Sequence, residues 1–209
     1  MARPLRIEFP GAWYHVMNRG QARRNIFLHD EHRKYFLSLL ATANERYQAD
    51  IHAYCLMDNH YHIILHTPTG NLQRIMRHIN GVYTQYFNRT EGLDGPLFRG
   101  RYKAILVDAN AYWLELSRYI HRNPLEANII KNLNGYKWSS YCAYVNKTKK
   151  PAWLATDFIL NALCNSNNRY ENYQSFTAKE ASDTLHKFYM HKKLLPLFYA
   201  EPLLLLLRH

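Results

Sequence analysis

Apolar positions in the first two thirds of the chain recur at two spacings, which predicts strands alternating with helices. The predicted strands cover residues 13–19, 51–57, 60–67 and 98–107, and the predicted helices cover residues 30–47, 71–88 and 109–123. Pro124 disfavours helical geometry in the residue before it, so the third helix is expected to end at about Arg122 or Asn123. The order β-α-β-β-α-β-α predicts an α+β sandwich, with an antiparallel sheet and helices packed on one of its faces.

The periodic pattern weakens after Trp138, and the lysine-rich segment 147–151 is typical of a boundary. We therefore predict a first domain over residues 1–150 and a small, mostly helical C-terminal extension over residues 151–209. Within the extension, the sequence favours one short helix near residues 155–163 and another near residues 179–195.

Composition narrows the environment in which the protein works. The 27 lysines and arginines exceed the 16 aspartates and glutamates, giving a net charge of +11 that favours a polyanionic partner such as nucleic acid. Three well-separated cysteines argue against a disulfide framework, and no apolar run reaches the length of about 20 residues that a membrane helix needs. We expect a cytoplasmic protein that does not bind membranes.

The positive charge is concentrated in three candidate DNA-binding clusters. These are Arg99, Arg101 and Lys103 on the fourth predicted strand, Arg74 and Arg77 on the second helix, and Arg19 and Arg23 near the end of the first strand. On a strand, alternate side chains share one face, so the first cluster would form a stripe suited to a phosphate backbone. A solvated charged surface is an equally simple interpretation of any one cluster.

Two small motifs have side chains suited to phosphate chemistry. His60 and His62 alternate on a predicted strand and therefore face the same side, where they could share a divalent cation if a third ligand came from elsewhere. Tyr119 and Asn123 lie one helical turn apart and offer a nucleophilic oxygen and an amide ligand. Taken singly, each motif is more often a packing or surface feature.

Longer blocks of the sequence resemble the REP-associated tyrosine transposases, which belong to the single-tyrosine branch of the HUH endonucleases. The blocks are PGAWYHVMNRG (10–20), AYCLMDNHYH (53–62), GVYTQYFNR (81–89), LFRGRYKA (97–104) and SRYIHRNP (117–124). The resemblance spans about residues 1–145 in order, which makes it far more specific than a His-x-His pair alone.

The resemblance implies a ferredoxin-like or RRM-like domain and assigns a role to each residue of the two motifs. His60 and His62 match the histidine pair that binds Mg²⁺ or Mn²⁺, and Asn123 matches the polar residue that joins them at the metal. Tyr119 matches the nucleophile that forms a covalent 5′-phosphotyrosine. The implied substrate is single-stranded DNA with hairpin repeats, cleaved and rejoined in transposition by a monomer or homodimer.

Two other functions are compatible with the same residues. The domain could bind a DNA or RNA hairpin without cleaving it, as a decayed transposase would. It could also be a metal-dependent hydrolase that uses water, in which case Tyr119 would have a structural role. The covalent adduct separates these hypotheses, because only the transposase forms one.

Overall fold

The computed structural model describes residues 7–107, 113–163 and 168–180. Its strands are β1 (Ala12–Arg19), β2 (Asp50–Met57), β3 (His60–Thr67) and β4 (Lys103–Leu106). Its helices are α1 (Asp30–Tyr47), α2 (Leu72–Glu91), α3 (Trp113–Glu126), α4 (Tyr141–Val145), α5 (Asp157–Leu163) and α6 (Arg169–Ala178). Over these residues, no helix combines the length and the apolar character needed to cross a membrane.

The four strands form one antiparallel sheet in the order β2-β3-β1-β4, which confirms the α+β class and the ferredoxin-like arrangement. Strand β3 lies between β2 and β1, with His62 opposite Cys55 on one side and opposite Met17 on the other. This register fixes which side chains share a face, because residues directly opposite one another in an antiparallel ladder project to the same side.

Helices cover both faces of the sheet, which differs from the expectation that they would cover one. Helices α1 and α2 pack against one face, whereas α3 packs against the other face together with α4, α5 and α6. The reason lies in β2, which is buried almost along its whole length and so needs cover on both sides. Cys55 packs with the α3 core and its neighbour Leu56 packs with the α1 and α2 core.

Strand β4 is shorter than predicted, because only Lys103–Leu106 pairs with β1 as a regular strand. Phe98 makes an isolated bridge with Gly20, and the chain then turns through residues 99–101 before the strand begins. Phe98 and Tyr102 are buried and alternate with arginines in the sequence, which is why this loop was predicted to be part of the strand. The prediction that Arg99 and Arg101 share one face of a strand is therefore wrong. Both side chains nevertheless line the cleft described below.

Helix α3 continues to Glu126, past the end that Pro124 was expected to impose. A proline close to the end of a helix removes one backbone hydrogen bond but does not prevent a final turn. Here that turn is closed by backbone bonds from Ala127 N to the Asn123 carbonyl and from Ile129 N to the Pro124 carbonyl, both at 2.9 Å. The predicted start of the helix at Ala109 lies outside the described residues.

The described part of the C-terminal extension packs onto the sheet and α3. The backbone N–H of Ala155 donates to the carbonyl of Ile51 on β2 at 2.8 Å, and α5 and α6 share the core formed by α3 and α4. Helix α5 matches the short helix predicted near residues 155–163, whereas α6 was not predicted. Most of the helix predicted at 179–195 lies outside the described residues, and the boundary at residue 150 stays a prediction.

Candidate active site

The two histidines of the His-x-His motif face α3. His62 is opposite Cys55, which packs in the α3 core, and His60 follows the same alternation along β3. His62 is buried at 6% exposure and His60 is partly buried, and both line a cleft. The structure therefore places both imidazoles on one face of the sheet, as the sequence predicts.

A third histidine, His15 on β1, completes this group of rings. Its Nε2 lies 2.9 Å from Nδ1 of His62, and its side chain is fully buried. In the β1–β3 ladder His15 is opposite Ile64, so it is a diagonal neighbour of His62 on the same face. The two imidazole rings are 5.1 Å apart between centroids and are roughly stacked.

Helix α3 places Tyr119 over these histidines. The Tyr119 ring meets the His62 ring edge to face, with centroids 5.9 Å apart, and lies 6.4 Å from the His15 ring. Asn123, one turn later, donates from Nδ2 to the Tyr119 carbonyl at 2.8 Å. The candidate nucleophile and the His-x-His pair, which are far apart in sequence, are thus brought together.

Burial keeps both histidines of the motif neutral. Desolvation and, to a smaller extent, the charge of Arg19 lower the pKa of His60 to about 4, with Asp58 acting in the opposite direction. Desolvation also holds the pKa of His62 well below its ordinary value, with smaller contributions from His15 and His60. A neutral imidazole keeps a nitrogen lone pair, which is the form that binds metal ions.

The Tyr119 side chain is partly buried, and its phenol is protonated at neutral pH. Desolvation and the Glu126 carboxylate raise the pKa of Tyr119 to about 12, whereas a hydrogen bond with the Asn123 side chain lowers it. Because an ordinary tyrosine has a pKa near 10, this hydroxyl is a weak nucleophile without help. Any nucleophilic reaction at Tyr119 would therefore need a group that stabilises the charge developing in the transition state.

A basic cleft of about 750 Å³ opens beside the His-x-His pair. It is lined by His60 and His62 together with five of the predicted DNA-binding cations, which are Arg19, Arg23, Arg99, Arg101 and Lys103. The other two, Arg74 and Arg77, are exposed on α2, which packs against the opposite face of the sheet. The structure thus brings two of the three predicted clusters together at the candidate site and leaves the third apart.

Two loops that carry these cations are joined by backbone hydrogen bonds. Arg99 N donates to the Arg19 carbonyl and Gln21 N donates to the Leu97 carbonyl, both at 3.0 Å. Gly20 lets the first of these segments turn back tightly on itself, because a Cβ added there would lie 2.1 Å from the carbonyl oxygen of Arg24. The cations are therefore held on a defined wall of the cleft and not on independent loops.

The donor atoms fit a divalent metal ion. His60 Nδ1 lies 2.6 Å from the Asn59 side-chain oxygen, which can only accept, so the His60 proton is on Nδ1 and its Nε2 carries the lone pair. Asn123 donates from Nδ2 to the Tyr119 carbonyl, and its side-chain oxygen is the atom that could bind a metal ion. Two imidazole nitrogens and one amide oxygen suit Mn²⁺ somewhat better than Mg²⁺.

Within the described residues, the Asn123 amide is the predicted third ligand. Among residues 7–107, 113–163 and 168–180, no group of three or more histidine, cysteine, aspartate or glutamate side chains could hold a metal. His66, which continues the alternation of β3, instead bonds the Asp50 carboxylate at 2.9 Å and packs against Trp13.

Sequence reasoning missed His15. His15 lies in the block 10–20 that resembles the transposases, but its position beside His62 depends on the pairing of two strands that lie far apart along the chain. The available signal was a histidine on a predicted strand next to the one carrying the His-x-His motif.

A comparison with known protein families finds a match over the part of the chain that contains the candidate site. The family model for the IS200-like transposases matches residues 9–123, which is more than half of the chain and includes every predicted site residue. No protein with a curated description matches.

Two solved structures resemble the chain at low sequence identity. A REP-associated tyrosine transposase bound to a REP hairpin is 18% identical, with a TM-score of 0.59, and the match covers 75% of this chain and 93% of that one. A transposase homologue from Deinococcus radiodurans R1 is 15% identical, with a TM-score of 0.39, over 62% of this chain and 94% of that one. At such identity the first likeness shows a shared fold.

Proposed function

Because the chain belongs to the IS200-like transposase family, we propose that it is a metal-dependent single-stranded DNA transesterase that acts through Tyr119. The observation that carries the proposal is the meeting of the Tyr119 and His62 rings, 5.9 Å apart, beside a cleft lined by cations. A nucleophile, two neutral imidazoles and a phosphate-binding wall are the parts that this chemistry needs.

In the proposed step, the phenolic oxygen of Tyr119 attacks a backbone phosphorus of the DNA. A new O–P bond to Tyr119 forms while the P–O3′ bond breaks, and the phenol proton ends on the departing 3′ oxygen. The protein then holds the 5′ phosphate of the downstream strand as a phosphotyrosine, and the upstream strand ends in a 3′ hydroxyl. Because the ester keeps the energy of the broken bond, a 3′ hydroxyl can later attack it and rejoin the strand without ATP.

Three side chains of this protein would prepare that step. His60, His62 and the Asn123 amide oxygen would hold a divalent cation, which when bound would polarise a non-bridging phosphate oxygen and offset the weak nucleophilicity of a neutral phenol. A hydrogen bond between the Asn123 side chain and the phenol also lowers the pKa of Tyr119, which favours the phenolate.

The cleft would bind the DNA backbone on either side of the cleavage point. Arg19, Arg23, Arg99, Arg101 and Lys103 line one continuous space with the histidine pair, so phosphates bound by these cations would lead the strand to His62, whose ring contacts that of Tyr119. The REP-associated transposase of similar fold was bound to a REP hairpin. We extend that ligand class to this protein and propose single-stranded DNA with hairpin repeats as its substrate.

A covalent adduct tests this proposal. Labelled hairpin oligonucleotides from the repeats flanking the gene are incubated with Mn²⁺ or Mg²⁺, and denaturing gels are scored for label that migrates with the protein. We expect an adduct with wild type that is abolished by EDTA, by Tyr119→Phe and by His60→Ala. Tyr86→Phe is the matched control, because Tyr86 is a partly buried tyrosine on α2, which packs on the opposite face of the sheet.

The alternative functions give different patterns in the same experiment. Tight binding without an adduct, unchanged by Tyr119→Phe, would favour a hairpin-binding module. Cleaved DNA with no protein attached, again unchanged by Tyr119→Phe, would favour a hydrolase that uses water. Either pattern would refute the proposed role of Tyr119.

A further inference from the structure

We propose that His15 is a positioning residue, which holds His62 in the ring orientation and tautomer that present its Nε2 to the metal. This inference deepens the proposed function and rests on it. It concerns the hydrogen bond between the two buried imidazoles, at 2.9 Å from His15 Nε2 to His62 Nδ1.

The hydrogen bond between the two rings is compatible with two tautomers of His62, and only one of them leaves Nε2 free to bind a metal ion. Both rings are buried, His15 with no exposed surface and His62 with 6% of its surface exposed, and a histidine binds a metal ion as the neutral imidazole. Two neutral rings sharing one hydrogen bond have one donor and one acceptor. If His62 donates from Nδ1, its Nε2 carries a lone pair; if His15 donates instead, the His62 proton sits on Nε2 and blocks the ligand atom.

Metal binding therefore requires that His15 Nε2 be the acceptor. In that arrangement His15 keeps its own proton on Nδ1, and the His62 ring is fixed by a bond on the side away from the metal. A histidine ligand oriented in this way through its other ring nitrogen is the usual arrangement in protein metal sites. His60 has the equivalent bond to Asn59, so each ring of the pair would have its own orienting partner.

Packing alone does not account for a histidine at this position. His15 lies on β1 between Ile64 of β3 and Ile105 of β4, with no exposed surface. An aliphatic residue would fill such a site without the desolvation that burying an imidazole requires. The His15 ring also lies 6.4 Å from the Tyr119 ring, so a change in its orientation would disturb the packing of both His62 and Tyr119.

Three variants of His15 separate a positioning role from a packing role. In His15→Gln the side-chain amide reaches the place of Nε2, so its oxygen can accept the proton of His62 Nδ1. In His15→Asn the amide reaches only the place of Nδ1, so the bond to His62 is removed while a buried polar group remains. In His15→Phe the ring shape remains and the acceptor is removed.

The experiment measures Mn²⁺ binding to the protein without DNA, by electron paramagnetic resonance of free Mn²⁺. We expect His15→Phe and His15→Asn to weaken binding by about 10- to 100-fold, the usual effect of losing an orienting partner, and His15→Gln to stay close to wild type. If His15→Phe does not fold, the Gln and Asn pair still decides the question. Thermal melts of each variant identify any loss caused by unfolding.

A second readout observes the tautomer directly. Long-range ¹H–¹⁵N spectra of the metal-free protein should show the His62 proton on Nδ1 in wild type and in His15→Gln. A wild-type proton on His62 Nε2 would overturn the inference, as would equal Mn²⁺ affinity in the Gln, Asn and Phe variants.

The outcome is distinguishable from failure of the proposed function. Mn²⁺ binding that depends on His15, in a protein that forms no DNA adduct, would support the role of His15 and refute the transesterase. An adduct formed by wild type, with Mn²⁺ affinity indifferent to His15, would support the transesterase and refute the role of His15. A wild-type protein that bound no Mn²⁺ would refute this inference and the metal-dependent mechanism together.

Discussion

A buried histidine away from the candidate site predicts how stability depends on pH. His52 on β2 is 5% exposed, donates from Nδ1 to the Ala155 carbonyl at 2.8 Å and stacks on the Trp13 ring with centroids 4.2 Å apart. Its Nε2 has no hydrogen-bond partner among the described residues. Protonation would therefore bury a charged N–H group without an acceptor.

The sign and size of the effect follow from the pKa of His52. Burial lowers that pKa to about 4; the bond to Ala155 and the charge of Asp50 raise it, and His66 lowers it slightly. An unfolded histidine has a pKa near 6.5, so below that pH the unfolded chain takes up the proton first and stability falls. Between about pH 7 and pH 5 the linkage from His52 amounts to about 2 kcal/mol of lost stability, at about 1.4 kcal/mol per pH unit.

Urea denaturation at pH 7, 6 and 5 measures this loss in wild type and in His52→Asn. Asparagine keeps an amide donor at the place of Nδ1 and cannot titrate. The variant should be less stable at pH 7, because the ring contact with Trp13 contributes about 0.5–1.5 kcal/mol. On acidification to pH 5 it should lose about 2 kcal/mol less than wild type. An equal loss in both proteins would refute the reasoning.

Three further predictions concern the core and the cleft. Tyr173→Phe removes a hydroxyl that bridges a buried histidine and a buried serine of α3, and should lower the free energy of unfolding by about 2 kcal/mol in urea titrations; a loss under about 0.5 kcal/mol would contradict this. Arg99→Gln and Arg101→Gln should each weaken binding of a single-stranded oligonucleotide and reduce the slope of log K against log salt by about 0.7 for each phosphate that is no longer neutralised. Arg74→Gln, outside the cleft, is the comparison, and an equal change there would show that the α2 face also contacts DNA. Gly20→Ala should destabilise the fold by about 1–3 kcal/mol, because the new Cβ would overlap a carbonyl oxygen 2.1 Å away; a neutral thermal melt would show that the loop rearranges freely.

Local pattern was sufficient to predict the framework of the fold. Helix α1 and strand β3 have the predicted bounds, and β1, β2 and α2 differ from their predictions by at most a few residues. These elements have regular apolar spacing and clear turn residues at their ends, so short-range information identifies them. The same holds for the shared face of His60 and His62, which follows from strand alternation alone.

Elements that depend on tertiary contacts were not predictable in the same way. The face on which α3 packs is decided by β2, whose continuous apolar run is compatible with burial on one side or on both. Helix α6 has no aliphatic stripe that would predict it. Its two buried residues, Tyr173 and Thr177, are buried by contacts with α3, which the local sequence does not show. The alternating aromatic residues Phe98 and Tyr102 led to the prediction of a strand where the chain forms a loop.

The candidate site divides along the same line. Sequence spacing placed Tyr119 and Asn123 one turn apart, and the structure adds that Tyr119 meets His62. The contact between His15 and His62 required the register of two strands, which no local pattern contains. The separation of Arg74 from the cleft required the two-faced packing of the sheet.

The most direct test of the central claim is which end of the cleaved DNA becomes attached to the protein, and at which residue. A hairpin oligonucleotide labelled at either its 5′ or its 3′ end is incubated with the protein and Mn²⁺, and the adduct is digested and mapped by mass spectrometry. Attack by Tyr119 on phosphorus with loss of the 3′ oxygen predicts that only the 3′ label is retained, on a peptide containing phosphorylated Tyr119. Retention of the 5′ label, attachment at another residue, or free cleavage products with no adduct would contradict it.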